Sequence, residues 1–237
     1  MPTADALLRA AAMAALLGAP GSAMAQAYQC QVPDAIRQPD PVRPDGPSRQ
    51  TAIGGFILAA SWSPEYCNSA RGASGSMQCS GKAGRFGFIL HGLWPQASNG
   101  APPQWCGTGA RPPVSEIRRN LCMMPSPQLV EHEWAKHGAC MAPTPEAYFA
   151  QAREAWNRII WPDANRLSRQ RGLTVGAFAE AFLATNPGWP RKALALRLSP
   201  SGWLQEVHLC FDARRKPAPC TRPGAADRQA LKVWRGS

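Results

Sequence analysis

His132, Glu133, Lys136 and His137 fall within six consecutive residues, His-Glu-Trp-Ala-Lys-His. Another histidine lies far upstream in His91-Gly92-Leu93-Trp94-Pro95, so three of the four histidines of the chain sit in two short motifs. Imidazole titrates near neutrality and can give and take protons there. Two such groups, with a lysine and a glutamate beside one of them, are equipped for general acid–base chemistry on an anionic substrate.

On a helix turning about 100° per residue, His132, Lys136, Glu133 and His137 share one face, spread over roughly 140°. His132 and Lys136 are i,i+4 neighbours, as are Glu133 and His137. The zinc-protease motif is H-E-x-x-H, with both histidines at i and i+4. Here they stand at i and i+5, too divergent for one tetrahedral ion, and Lys136 between them repels a cation. No metal and no cofactor is expected. The plain alternative is a solvated helix face, against which stands the second histidine motif with its adjacent tryptophan.

The elements that must position these residues can be read coarsely. Residues 55–62 (GFILAASW) and 86–91 (FGFILH) are apolar runs that suit strands buried on both faces. Gly92 and Pro95 are expected to stop the second, leaving His91 at its C-terminal end. Ser126-Pro127 opens a helix that carries the central motif and ends at Gly138. Thr144-Pro145-Glu146 opens another, running to about residue 161, and Thr174 caps a third through about Leu183. Residues 193–199 and 203–211 read as strands, and Val233-Trp234 as an edge strand. Residues 69–84 and 97–113 read as loops. Strands and helices mix without βα alternation, which predicts an α+β fold: a single domain with a central, mainly antiparallel sheet packed with helices.

The chain has 237 residues, 45% of them hydrophobic and 17% charged, a globular rather than a disordered composition. Arg9, the apolar run Ala10–Leu17 and Ala23-Met24-Ala25 fit a signal peptide over residues 1–25. The run is too short to span a bilayer, and no later segment is long enough. Residues 26–50, rich in Pro, Asp, Arg and Gln, read as an extended arm tethered through Cys30, followed by a catalytic domain over 51–237. The net charge is +11. Cleavage leaves it unchanged, because it removes one acid, Asp5, and one base, Arg9. So basic a chain suits a polyanion, with nucleic acid first, or loose attraction to an anionic envelope. Eight cysteines, all beyond residue 25, read as four disulfides of an exported protein, periplasmic or extracellular, with about 105 pairings open.

The two histidine motifs resemble those of the ribonuclease T2 family, H-G-L-W-P and H-E-W/Y-x-K-H-G-x-C. Both are complete here, the second as His132-Glu133-Trp134-Ala135-Lys136-His137-Gly138-Ala139-Cys140. The similarity runs from about Phe56 to Asp212 and includes Ser61-Trp62-Ser63-Pro64 and Glu206-Val207-His208-Leu209-Cys210. It departs from the usual pattern at Gln96, where many relatives have Asp, and at Ser61, where many have Gln. Base preference is therefore unassigned.

The resemblance implies a metal-independent endoribonuclease acting on single-stranded RNA as a monomer with low base specificity. It makes His137 the base and His91 the acid of a step that yields a 2′,3′-cyclic phosphate, with the roles reversed in hydrolysis to a 3′-phosphate. The residues alone leave that assignment open. Lys136 would stabilise the transition state, His132 would bind phosphate and Trp94 would stack on a base. Glu133 would hold Lys136 or His137, or act as a protonated donor. Trp62, Trp134 and Trp156 are expected in the core, and His208 as structural or surface. The resemblance also implies bridges Cys106–Cys140, Cys210–Cys220 and Cys67–Cys79, which leaves Cys30–Cys122. Two other classes stand beside this reading, an idle RNA-binding or cell-surface relative and a metallohydrolase.

Overall fold

A computed structural model describes residues 27–69, 74–107 and 109–235; the expected signal peptide lies outside them. Four antiparallel strands form the central sheet in the order β4-β2-β6-β5, with β2 at Ile53–Trp62, β4 at Phe88–Ala97, β5 at Leu194–Leu198 and β6 at Leu204–Asp212. Helices α1 (Ser63–Asn68), α2 (Val114–Asn120), α3 (Pro127–Lys136), α4 (Pro145–Asn157), α5 (Ala164–Leu167) and α6 (Val175–Thr185) complete the α+β fold.

The apolar run of β2 is buried on both faces. Phe56, Leu58, Ala60 and Trp62 join the main core with Trp134, Tyr148, Phe149, Phe178 and Phe182. Ile57 and Ala59 face a smaller cluster with Cys210 and the flank of Trp94. Trp62, Trp134 and Trp156 lie in the main core as expected. Each large side chain so buried contributes about 1.5–3 kcal/mol.

Helix starts follow their caps. Ser126, Thr144 and Thr174 accept from the backbone N–H groups of Leu129, Ala147 and Ala177, and each such cap is worth about 1 kcal/mol. α4 stops at Asn157, short of the expected residue 161. α2 carries a single buried apolar side chain, Ile117, beside buried Glu116 and Asn120, so periodicity does not reveal it. Val233-Trp234 is not a strand. The chain there makes one bridge, Lys232 to Trp203, and the Trp234 carbonyl accepts from the Trp62 indole at 2.6 Å.

β4 departs most from expectation. It runs through Gly92 and Pro95 to Ala97, so His91 is inside the strand. β4 is an edge strand, where a proline costs no ladder bond. Its pairing shifts between Ala59↔Gly92 and Ala60↔Leu90, leaving His91 as the extra residue of a β-bulge. Phe88, Leu90 and Leu93 all reach the core. Strict alternation cannot turn both Leu90 and Leu93 inward, and the bulge resolves the conflict by sending His91 to the other face.

The N-terminal arm is a strap. It begins as β1 (Ala27–Cys30), paired antiparallel with β3 (Gly84–Phe86). Cys30 is bonded to Cys122, and the other cysteines pair as Cys67–Cys79, Cys106–Cys140 and Cys210–Cys220. Past Cys30 the arm crosses α2 and α3 mainly through its carbonyls. Pro33 accepts from Arg118, Pro39 from Arg111 and Asp40 from Gln128.

Candidate active site

The site lies on the sheet face opposite the main core. Ser61 on β2 pairs with Glu206 on β6, Ala59 with His208, and Ile57 with Trp94 on β4, so these side chains project from one face. The bulge adds His91 to them. The Trp94 ring lies between three imidazoles, 5.1 Å from His91, 5.6 Å from His137 and 5.4 Å from His208, centroid to centroid. Its indole N–H donates to Glu133 Oε2 at 2.7 Å.

Glu133 comes from the last turns of α3 and is buried. It reaches the strand because residue 92 is glycine: a Cβ there would fall 1.9 Å from Glu133 Oε2 and 2.5 Å from Trp94 Nε1. Burial pushes the Glu133 carboxyl up to about 7, against the pull of His91 and Trp94. Its other oxygen is 3.6 Å from His91 Nε2.

α3 ends at Lys136, and His137 is its C-cap, with its N–H bonded to the Glu133 carbonyl. The chain then turns at Gly138, where a Cβ would strike Trp134 and Tyr148 at 2.6–2.8 Å. His137 Nδ1 is buried and makes no hydrogen bond among the described residues. Burial, reinforced by Lys136, lowers the His137 pKa to about 3. The same two influences lower that of His132.

Around the end of α3 stand residues that motif reading does not pick out. Trp105 adopts φ 55°, a left-handed conformation that costs a bulky residue of order 1–3 kcal/mol. Its backbone N–H donates to the Lys136 carbonyl, and its ring lies 5.5 Å from the Lys136 ammonium and edge-on to His132. The Cys106–Cys140 bond fastens this loop beyond α3. Asp45, from the arm, accepts from Lys136 at 2.6 Å and from the Trp105 indole at 2.9 Å. Those bonds, Lys136 first, hold its carboxyl below the usual range.

On the other side, Glu206 Oε1 accepts from His91 Nδ1 at 2.6 Å and from the Ser61 hydroxyl at 2.9 Å; Oε2 accepts from His208 Nε2 at 2.8 Å. Burial disfavours the Glu206 anion, but the bonds from His208 and His91 outweigh it and hold the carboxyl well below the usual range. Burial also opposes the His91 cation. Glu206 and Glu133 overcome that and raise the His91 pKa.

The sequence model of the Ribonuclease T2 family matches residues 53–174. The chain belongs to the ribonuclease T2 family. It is 41% identical over 164 residues to a ribonuclease of Aeromonas hydrophila, covering 66% of this chain and 71% of that one. It is 32% identical over 193 residues to a probable ribonuclease of Haemophilus influenzae, covering 74% of this chain and spanning 64% of the relative's length. In fold it is similar to trichomaglin, described as an S-like ribonuclease, with a TM-score of 0.62 and 22% identity over 76% of this chain and 98% of that one. RNase NT, solved with 5′-AMP, gives 0.61 and 22% over 77% and 98%.

In this T2-family chain the six expected site residues, His91, Trp94, His132, Glu133, Lys136 and His137, gather around the bulge of β4 and the end of α3. Glu133 directs its carboxylate to Trp94 and His91, while Asp45 takes Lys136. Of the two places expected for His208, structural or surface, the first fits: it is buried beside Trp94 and bonded to Glu206. The alternation Glu206-Val207-His208 on one strand was the available signal, and β-sheet register decides which face it meets. Among the described residues no group of three or more His, Cys, Asp or Glu is placed to hold a metal ion, and no helix is long and apolar enough to cross a membrane.

Proposed function

We propose that this T2-family endoribonuclease cleaves single-stranded RNA in two metal-independent steps, with His137 and His91 exchanging protons with the substrate. One observation carries the reading. Two imidazoles flank Trp94 at 5.1 and 5.6 Å, and their surroundings shift them in opposite directions. Groups pushed apart in this way divide into a base and an acid.

In the first step His137 takes the proton of the ribose 2′-OH, and O2′ attacks phosphorus. The P–O5′ bond breaks, and O5′ takes the proton of His91 Nε2. This leaves a 2′,3′-cyclic phosphate and a 5′-hydroxyl. In the second step a water gives a proton to His91 and its oxygen attacks phosphorus. The P–O2′ bond breaks, and O2′ recovers the proton held by His137, leaving a 3′-phosphate. Lys136 and His132 donate to the phosphoryl oxygens as charge gathers there. Glu133 keeps Trp94 and His91 in register.

A cavity of about 400 Å³ lies against His91, lined by Ser61, Ile89, Leu129, Arg197 and Glu206. Since His91 protonates the departing oxygen, this cavity takes the nucleotide on the leaving side, and Trp94 serves the other base. Base specificity is low. Four disulfides suit an oxidising compartment, which supports an exported protein, periplasmic or extracellular.

The test is digestion of RNA in excess EDTA by wild type, His91→Ala and His137→Ala, with products resolved in time. Wild type is expected to pass through a cyclic phosphate, and each variant to lose about 10²–10⁴-fold in rate. RNA left intact by wild type at every pH from acid to neutral overturns the reading.

A further inference from the structure

We propose that Glu206 is the positioning residue of His91: it fixes which ring nitrogen faces the substrate and holds that nitrogen's proton in place for the leaving oxygen. The inference rests on the two-histidine reading and extends it to a residue outside both histidine motifs.

The geometry is complete around the carboxylate. Both oxygens are taken, Oε1 by His91 Nδ1 and the Ser61 hydroxyl, Oε2 by His208 Nε2. A carboxylate only accepts, so the His91 proton at that contact belongs to Nδ1. Nε2 is thereby turned toward the site and Glu133. Behind Glu206, the Arg197 side chain donates from Nε to His208 Nδ1, which puts the His208 proton on Nε2, aimed at Glu206. Arg197 is itself tied to the carbonyls of Pro223 and Arg222. The chain His91–Glu206–His208–Arg197 therefore ends on fixed backbone.

The charged or titratable groups around His91 are Glu206 from β6 and Glu133, Lys136, His132 and His137 from α3 and its end; those around Glu206 are His91 from β4, His208 on its own strand, Arg197 across β5 and, farther off, Glu133. A hydrogen bond from the charged imidazole to an anion favours the protonated ring. Glu206 is also placed by the sheet, since Ser61 and Arg197 are its partners across β2 and β5. It bonds His91 through Nδ1 and not through Nε2, so its part is to orient and polarise.

Glu206→Gln keeps the shape and removes the charge. Its kcat/KM should fall about 10–100-fold at neutral pH, with kcat carrying the loss, and the alkaline limb should move down by about one to two pH units. The ¹⁵N-detected titration midpoint of His91 should fall with it. Cleavage of a uridine 3′-(4-nitrophenyl phosphate), whose leaving group needs no proton, should fall less than about threefold, because this variant impairs only the acid. A purely structural role for Glu206 predicts equal losses on both substrates. Should the variant fail to fold, wild type decides: neutral His91 must carry its proton on Nδ1 in ¹⁵N spectra, and a proton on Nε2 overturns the proposal. An unmoved alkaline limb with an unmoved His91 midpoint also overturns it. If His91→Ala cleaves RNA normally, the two-histidine reading fails instead, and the Glu206–His91 coupling is still read by the spectra.

Discussion

Asp45 Oδ2 lies 2.6 Å from the Lys136 ammonium although 91 residues separate them. An anion of the N-terminal arm thus rests on the cation proposed to meet the phosphoryl group. Incoming phosphate must share or displace it. Asp45→Asn is expected to lower KM for RNA about two- to fivefold at low salt with kcat unchanged, the scale of an exposed ion pair. The difference should shrink as salt screens it. Steady-state kinetics at two ionic strengths check this; a raised KM would mean that Asp45 steadies Lys136 instead of competing.

The pH profile follows from the two imidazoles. His137 must be free, which holds well above its pKa of about 3. His91 must be protonated, which holds below a pKa that its carboxylates have raised from the ordinary value. Activity is therefore present across mildly acidic pH and lost as pH rises through the His91 value. Log kcat/KM against pH measures it. A rate climbing steadily into the alkaline range contradicts the assignment.

Gly92→Ala should be severe for its size. The added carbon would lie 1.9 Å from Glu133 Oε2. Separating them displaces Glu133, Trp94 and the His91 bulge together. The expected cost is about 1–3 kcal/mol in urea unfolding, with more than a hundredfold loss of kcat. Near-normal activity would show that the strand and α3 can part without harm.

How much of this was legible beforehand depended on range. Caps at Ser126, Thr144 and Thr174 are local, and so were readable from sequence. The course of β4 was not. Gly92 and Pro95 end a strand by propensity, but an edge position tolerates the proline and contact with Glu133 requires the glycine. Glu206 and Asp45 lie 115 and 91 residues from the side chains they hold. Only register and the path of the arm reveal them. The arm shows no periodicity because it docks largely through main-chain carbonyls, with only scattered side chains such as Val32 and Ile36 reaching the core.

Removing the Cys30–Cys122 bond should loosen that arm. Its sequence separation is 92, and closing a loop of that length is worth about 4.6 kcal/mol. A Cys30→Ser, Cys122→Ser double variant should lose up to that amount in urea unfolding. Its kinetics should also lean toward those of Asp45→Asn, since the strap holds Asp45 over Lys136.

The order in which the sheet is completed bears on how such a protein is made. β2 lies between β4 and β6, and β6 is the last strand of the sheet in the chain. Until residues 204–212 have been made, β2 has a partner strand on one side only. The Glu206–His208 part of the candidate site therefore joins the histidines of β4 and α3 only when the final strand docks beside β2.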